Sequence, residues 1–242
     1  MKSSPNPGDY QRKLRRLDFA TRSKPAEKRP PGAPDGLVQG SHSRGYLPHV
    51  KAPGASYFVT FRLGDSLPQT VLAEFQRRAE ADARAANNEA KARGEAGTAE
   101  PGDFLSEKVE AYLDAGHGAC WLRRPEIARL VADALRFFDG QRYHLHAWVV
   151  MANHVHAVVR PTPAFSLSSI LHSWKSYTAK EANKLLHRNE PDFWQHESFD
   201  HWCRDDDEVA HWVGYTEGNP VAARLCVLPE EWPWSSAAQR RL

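Results

Sequence analysis

The chain has 242 residues, of which 41% are hydrophobic and 26% charged. That is enough for one large core and it excludes collagen-like, disulfide-dense and wholly disordered classes. No run approaches the ~20 apolar residues of a membrane helix, and Met1-Lys-Ser-Ser-Pro5 lacks the apolar centre of a signal peptide, so a cytoplasmic protein is expected. Cys120, Cys203 and Cys226 include no C-x-x-C pair and read as reduced, packed thiols.

The net charge of +2 hides an asymmetry, because Met1 to Lys51 carries 11 Lys or Arg against 4 Asp or Glu. Residues 1–43 therefore read as a basic, Pro/Gly/Ser-rich arm that cannot offset its ordering entropy. It serves either as a disordered solubilising leader or as a phosphate-binding arm. Residues 44–242 read as the folded domain.

Gly54 to Leu63 is rich in aromatic and β-branched residues between glycine-containing turns, which predicts a strand. Val71, Leu72 and Phe75 open an amphipathic helix from Pro68 to about Lys91, fading into a charged, solvated run. A short helix is expected over Phe104 to Leu113, closed by Gly116 and Gly118. Another spans Pro125 to Phe138, where Ile127, Leu130, Val131, Ala134, Leu135 and Phe138 form one stripe. Tyr143 to Met151 and His154 to Arg160 are apolar runs separated by Ala152-Asn153, the spacing of a β-hairpin. Ser166 to Leu186 predicts a helix with Ser166 as its cap, and Asp205 to Tyr215 a second that Pro220 limits. The order of elements gives an α+β class, an antiparallel sheet with helices packed on it.

Two constellations hold candidate chemistry. In His154-Val155-His156 the period of a strand sends both imidazoles from one face, which makes either a bidentate metal grip or a pair of sheet-surface histidines. A second H-x-H lies at His144 and His146. Tyr215 and Asn219 stand at i and i+4 of a helix, so a phenol and an amide project together, or a core tyrosine precedes a C-terminal asparagine.

The stretch from His144 through Trp148, Asn153, His154 and His156 closely resembles the motif of the REP-associated tyrosine transposases, of the single-tyrosine HUH class. Also matching are Arg44-Gly-Tyr-Leu-Pro-His-Val50, Tyr57 to Leu63, Leu113-Asp-Ala-Gly-His-Gly118 and Trp174-Lys-Ser-Tyr-Thr-Ala179. Asp200 to Asp205, Tyr215 to Val221 and Pro229 to Ser236 follow in the same order. The resemblance covers about Arg44 to Ser236. It implies a ferredoxin-like antiparallel sheet, with His154 and His156 as metal ligands on a central strand and Tyr215 as the nucleophile on a facing helix. Asn219 is implied as a third ligand of a divalent ion, Mg²⁺ or Mn²⁺. Ala152 stands where proline is usual, and Gly218 where a bulkier residue is common.

The activity so implied is cleavage and transfer of single-stranded DNA, on a REP-type hairpin, through a covalent 5′-phosphotyrosine. The enzyme is expected to act as monomer or homodimer, with no membrane partner. Arg44, Lys175 and Tyr177 are candidate DNA contacts, since aromatic rings stack on unpaired bases while cations follow phosphates; Tyr177 is also the rival nucleophile. Two alternatives stay open: a noncatalytic nucleic-acid-binding module, and a metal-dependent hydrolase built on His144, His146, His154 and His156.

Overall fold

In the computed structural model, which describes residues 41–43, 48–50, 54–190 and 192–239, four strands form one antiparallel sheet. They are β3 (Tyr57–Arg62), β4 (Tyr143–Val150), β5 (His154–Pro161) and β6 (Phe199–Trp202), in the order β4-β5-β3-β6. Two short strands, β1 (Ser41–Ser43) and β2 (Pro48–Val50), pair with each other separately. The rest of the basic arm and Arg44 lie outside the described residues.

The periodicities of the sequence explain most of the framework. Helix α3 (Pro125–Arg136) begins with proline in its first turn, where a missing N–H is harmless, and carries Glu126 near the positive end of its dipole. Its stripe of Ile127, Ala128, Val131, Ala132 and Leu135 is buried. Helix α4 (Leu167–Leu185) is capped by Ser166, whose Oγ accepts from the Ser169 N–H at 3.2 Å. Both helices cover the sheet face that presents Tyr57, Val59, Phe61, Trp148, Val150, Val155, Ala157 and Val159, and together these make the main core. The sequence β3-α3-β4-β5-α4-β6 with this strand order is the β-α-β-β-α-β ferredoxin-like arrangement.

Three elements stand outside that unit. Helices α1 (Gln69–Ala92) and α2 (Pro101–Asp114) are inserted between β3 and α3, and α5 (Asp206–Ala222) follows β6. Helix α5 crosses the opposite sheet face, where Phe58, Ala147 and Val158 meet Trp212 and Tyr215 in a smaller apolar cluster. Asp205 caps α5 by accepting from the Glu208 N–H at 2.8 Å. The helix runs past Pro220, which the sequence reading placed just beyond its end. Proline removes one hydrogen bond there, but the Ala223 N–H still reaches the Asn219 carbonyl at 2.9 Å, so the final turn closes around it.

Strand β6 was not expected: His201 pairs in register with Phe58, and its Nε2 lies 2.7 Å from Glu208 Oε1. Trp232 and Trp234 fasten the C-terminal segment to β4. Trp232 Nε1 donates to the Val150 carbonyl at 3.0 Å and the Val150 N–H to the Trp234 carbonyl at 2.8 Å, covering part of the β4 edge. Described helices include none long and apolar enough to cross a membrane.

A buried polar link ties the two helices to the sheet. Tyr143 Oη donates to the Leu135 carbonyl at 2.7 Å and accepts from Trp174 Nε1 at 2.9 Å. Tyr143→Phe should lower unfolding free energy by about 1–3 kcal/mol, because it strands a buried donor and a buried acceptor. Urea unfolding measures this, and an unchanged midpoint would contradict the assigned role.

Candidate active site

Strand β5 builds the site by alternation. Val155 enters the main core, whereas His154 and His156 leave the α5 face, and both imidazoles are fully buried. Each ring is oriented through Nδ1. Asn153 Nδ2 donates to the His117 carbonyl at 2.8 Å, which fixes its amide with Oδ1 towards His154 Nδ1, also at 2.8 Å. An amide oxygen only accepts, so His154 Nδ1 carries the proton and Nε2 presents a lone pair. Thr60 is opposite His156 in the β3–β5 register, and its Oγ1 lies 2.8 Å from His156 Nδ1. Neither Nε2 has a hydrogen-bond partner among the described residues.

Those lone pairs converge on carboxylates from α2. Glu110 Oε2 lies 3.5 Å from His156 Nε2, and Asp114 Oδ1 lies 3.8 Å from His154 Nε2. Burial pushes the His156 imidazolium down to about 3, and burial followed by its neighbour His156 pushes His154 well below its usual range. Both rings are therefore neutral, and these contacts are not ion pairs. Neutral imidazole nitrogens facing carboxylate oxygens are acceptors opposed to acceptors, an arrangement that favours a cation between them. Donor atoms of Glu110, His154 and His156 all lie within 4.8 Å of one another. The residues thus fit a divalent ion, with Asn153 setting the His154 tautomer and Thr60 orienting the His156 ring.

Tyr215 completes the cluster. Its Oη donates to Glu110 Oε2 at 2.7 Å, so one carboxylate oxygen is shared between the phenol and the neighbourhood of His156. Phe58 holds the rings in place: it stacks on Trp212 at 4.0 Å and on His156 at 5.3 Å, and meets Tyr215 edge-on at 5.5 Å.

The other expected residues fall differently. Asn219 lies one turn beyond Tyr215 and is buried, with an Oδ1 that makes no hydrogen bond among the described residues. Tyr177 is 53% exposed on α4, which covers the face away from the histidines, so the rival phenol is separated from them by the sheet. Lys175 directs Nζ at the Gln195 and His196 carbonyls, both at 2.7 Å, and at Ser198 Oγ at 3.2 Å, holding the loop before β6. His144 pairs with Arg160 towards the far end of β5, and His146, at a bulge, lies 3.1 Å from Ser56 Oγ. The four histidines therefore do not form one cluster.

Sequence reasoning missed Glu110, Asp114, Asn153 and Thr60. The available signal was the pair of acids four residues apart in α2, just before Gly116-His-Gly118, which places both on one helix face.

Residues 128–217 match the family model described as transposase IS200 like. The match covers 90 of the 242 residues. The matched segment contains His154, His156 and Tyr215, while Glu110 and Asp114 precede it and Asn219 follows it. A solved structure of a REP-associated tyrosine transposase bound to a REP hairpin is similar at 17% identity, over 83% of this chain and 84% of that chain, with a TM-score of 0.44. No curated protein matches.

Thr60→Val removes the partner of His156 Nδ1 at nearly constant volume, and should weaken Mn²⁺ binding roughly 10–100-fold. Isothermal titration calorimetry measures it, and unchanged affinity would argue against ligation by His156. A pH effect also follows for the metal-free chain. The unfolded chain takes up protons near 6.5, whereas the folded imidazoles titrate lower. This source of stability is therefore fully present above that pH and is lost as pH falls below it. The thermal midpoint in EDTA should drop on acidification, less steeply in His156→Asn; equal slopes would show that the ring is not held neutral by folding.

Proposed function

We propose that this chain is an IS200-like transposase, a metal-dependent DNA nicking and rejoining enzyme of the single-tyrosine type that acts on single-stranded DNA beside a REP-type hairpin. The observation that carries the reading is the convergence of the Tyr215 phenol and two bare imidazole nitrogens on Glu110. His154 Nε2, His156 Nε2 and Glu110 would hold the ion, Mg²⁺ or Mn²⁺, with the Asn219 amide as a further ligand. Such an ion supplies positive charge that polarises the scissile phosphate and stabilises the departing oxygen.

Tyr215 Oη attacks phosphorus, forming an O–P bond as the bond to the 3′-oxygen breaks. The phenolic proton leaves along the hydrogen bond to Glu110, the departing 3′-oxygen takes up one proton in return from solvent, and the products are a 5′-phosphotyrosine and a free 3′-hydroxyl. Because the phosphodiester is exchanged rather than hydrolysed, another 3′-hydroxyl can reverse the step without ATP. Tyr177, as the exposed ring of α4, suits stacking on an unpaired base, with Arg44 and Lys175 the cationic contacts of the proposal. The hairpin target is drawn from the resemblance at the sequence level, and the protein acts as monomer or homodimer. The dispersed positions of His144 and His146 favour this reading over a four-histidine hydrolase.

Incubation with a radiolabelled hairpin oligonucleotide and Mn²⁺ should give a denaturation-resistant protein–DNA adduct. Tyr215→Phe should abolish the adduct, as should EDTA, whereas Tyr177→Phe should retain it. An adduct that survives Tyr215→Phe and disappears with Tyr177→Phe would overturn the assignment.

A further inference from the structure

The reacting groups just assigned are enclosed. His154 and His156 have no exposure and Tyr215 has 5%, yet the substrate of the proposed reaction is a polymer that must lay a phosphodiester against all three. What covers them is α2, through Glu110 and Asp114.

Helices α1 and α2 form an antiparallel hairpin that is well joined to itself. Asn87 accepts from the Ala99 N–H and donates to the Ala99 carbonyl, both at 2.9 Å. Lys108 pairs with Asp82 at 2.8 Å, and Phe75 meets Tyr112 edge-on at 5.6 Å. Among the described residues its apolar attachment to the sheet is thin by comparison. Helix α2 packs along α1 rather than along any strand. The buried apolar residues that the two helices supply are Ala79, Ala83 and Leu113, and none joins either apolar cluster of the sheet. Elements with few buried apolar contacts open at low free energy.

The hairpin also has two stalks that meet at one point. Gly64 to Pro68 leads into α1 and Ala115 to Cys120 leads out of α2, and the Ala119 N–H donates to Asp65 Oδ2 at 2.7 Å, tying them together. Gly116 and Gly118 take φ of 72° and 86°. A Cβ on Gly118 would come within 2.9 Å of the Asp65 carbonyl oxygen, so glycine is required where the stalks touch.

We propose that the α1–α2 hairpin is a lid over the histidine pair, latched by the Glu110–Tyr215 hydrogen bond, and that single-stranded DNA enters when the hairpin lifts about the Asp65–Ala119 junction. The lid rests on the reading of His154, His156 and Tyr215 as the reacting groups. In the closed state Glu110 keeps the phenol against the histidines and water away from both. Opening replaces a few polar contacts with contacts to the strand and leaves the main core, packed under α3 and α4, undisturbed. For the reaction the lid closes again over the seated strand, with Glu110 drawn back to the histidines and Tyr215 as a ligand of the ion, so in EDTA the lid stays open on DNA.

The test uses the full chain with spin labels at Ala96→Cys, in the exposed loop of the hairpin, and Arg129→Cys, on the exposed side of α3. Cys226→Ser removes the half-buried thiol; Cys120 and Cys203 are buried, and burial pushes the Cys203 thiol up to about 12. Double electron–electron resonance is recorded in EDTA, with and without a hairpin oligonucleotide carrying single-stranded flanks, and binding is followed in parallel by fluorescence anisotropy. Bound oligonucleotide should add a second, displaced distance component. Glu110→Ala, without DNA, should broaden the distribution by releasing the latch. An oligonucleotide that binds while both distributions stay unchanged overturns the lid. An oligonucleotide that does not bind counts against the proposed function instead, and the lid then stands or falls on the Glu110→Ala distribution.

Discussion

Buried acceptors that face one another without a proton between them dominate this molecule. Two imidazoles, each with Nδ1 engaged by Asn153 or Thr60, direct bare Nε2 atoms at carboxylates 3.5 and 3.8 Å away. In water such an array would be solvated, but here the rings are fully buried. Burial disfavours protonation of the histidines, so the half-buried Glu110 and Asp114 face neutral rings rather than imidazolium. A divalent cation resolves that conflict, and the same arrangement places a phenol within hydrogen-bond distance of the shared carboxylate.

The rest of the structure serves to hold these atoms together. Alternation along β5 sends Val155 into the main core and the histidines to the other face, so the packing under α3 and α4 fixes the azimuth of both rings. The β3–β5 register sets Thr60 opposite His156, and a slip of one residue would turn both histidines into the core. Phe58, on the same face of β3, stacks between His156 and Trp212, so the position of α5, and with it Tyr215, is read from the sheet itself.

How much was legible in the sequence follows from the range of each interaction. Strands β3, β4 and β5 and helices α3 and α4 were readable because their apolar periods match the surfaces that they bury, and Ser166 and Asp205 announced two helix starts. The pairing of Tyr215 with the histidines came from the family resemblance, since no local pattern brings residue 215 to residue 156. Glu110 was invisible for a related reason: a charged residue on a charged helix looks solvated until the tertiary fold brings its carboxylate to His156. The three acceptors that Lys175 reaches in the loop before β6 were hidden for the same reason, being set by the tertiary fold. Pro220 marked the end of α5 too early because proline forbids one hydrogen bond and not the turn around it.

The central claim concerns where a cation sits, and anomalous diffraction from crystals of the full chain soaked in Mn²⁺ addresses it directly. A single strong peak is expected within coordination distance of His154 Nε2, His156 Nε2 and Glu110. A peak held elsewhere, or none beside the two histidines at a concentration that supports DNA cleavage, would contradict it.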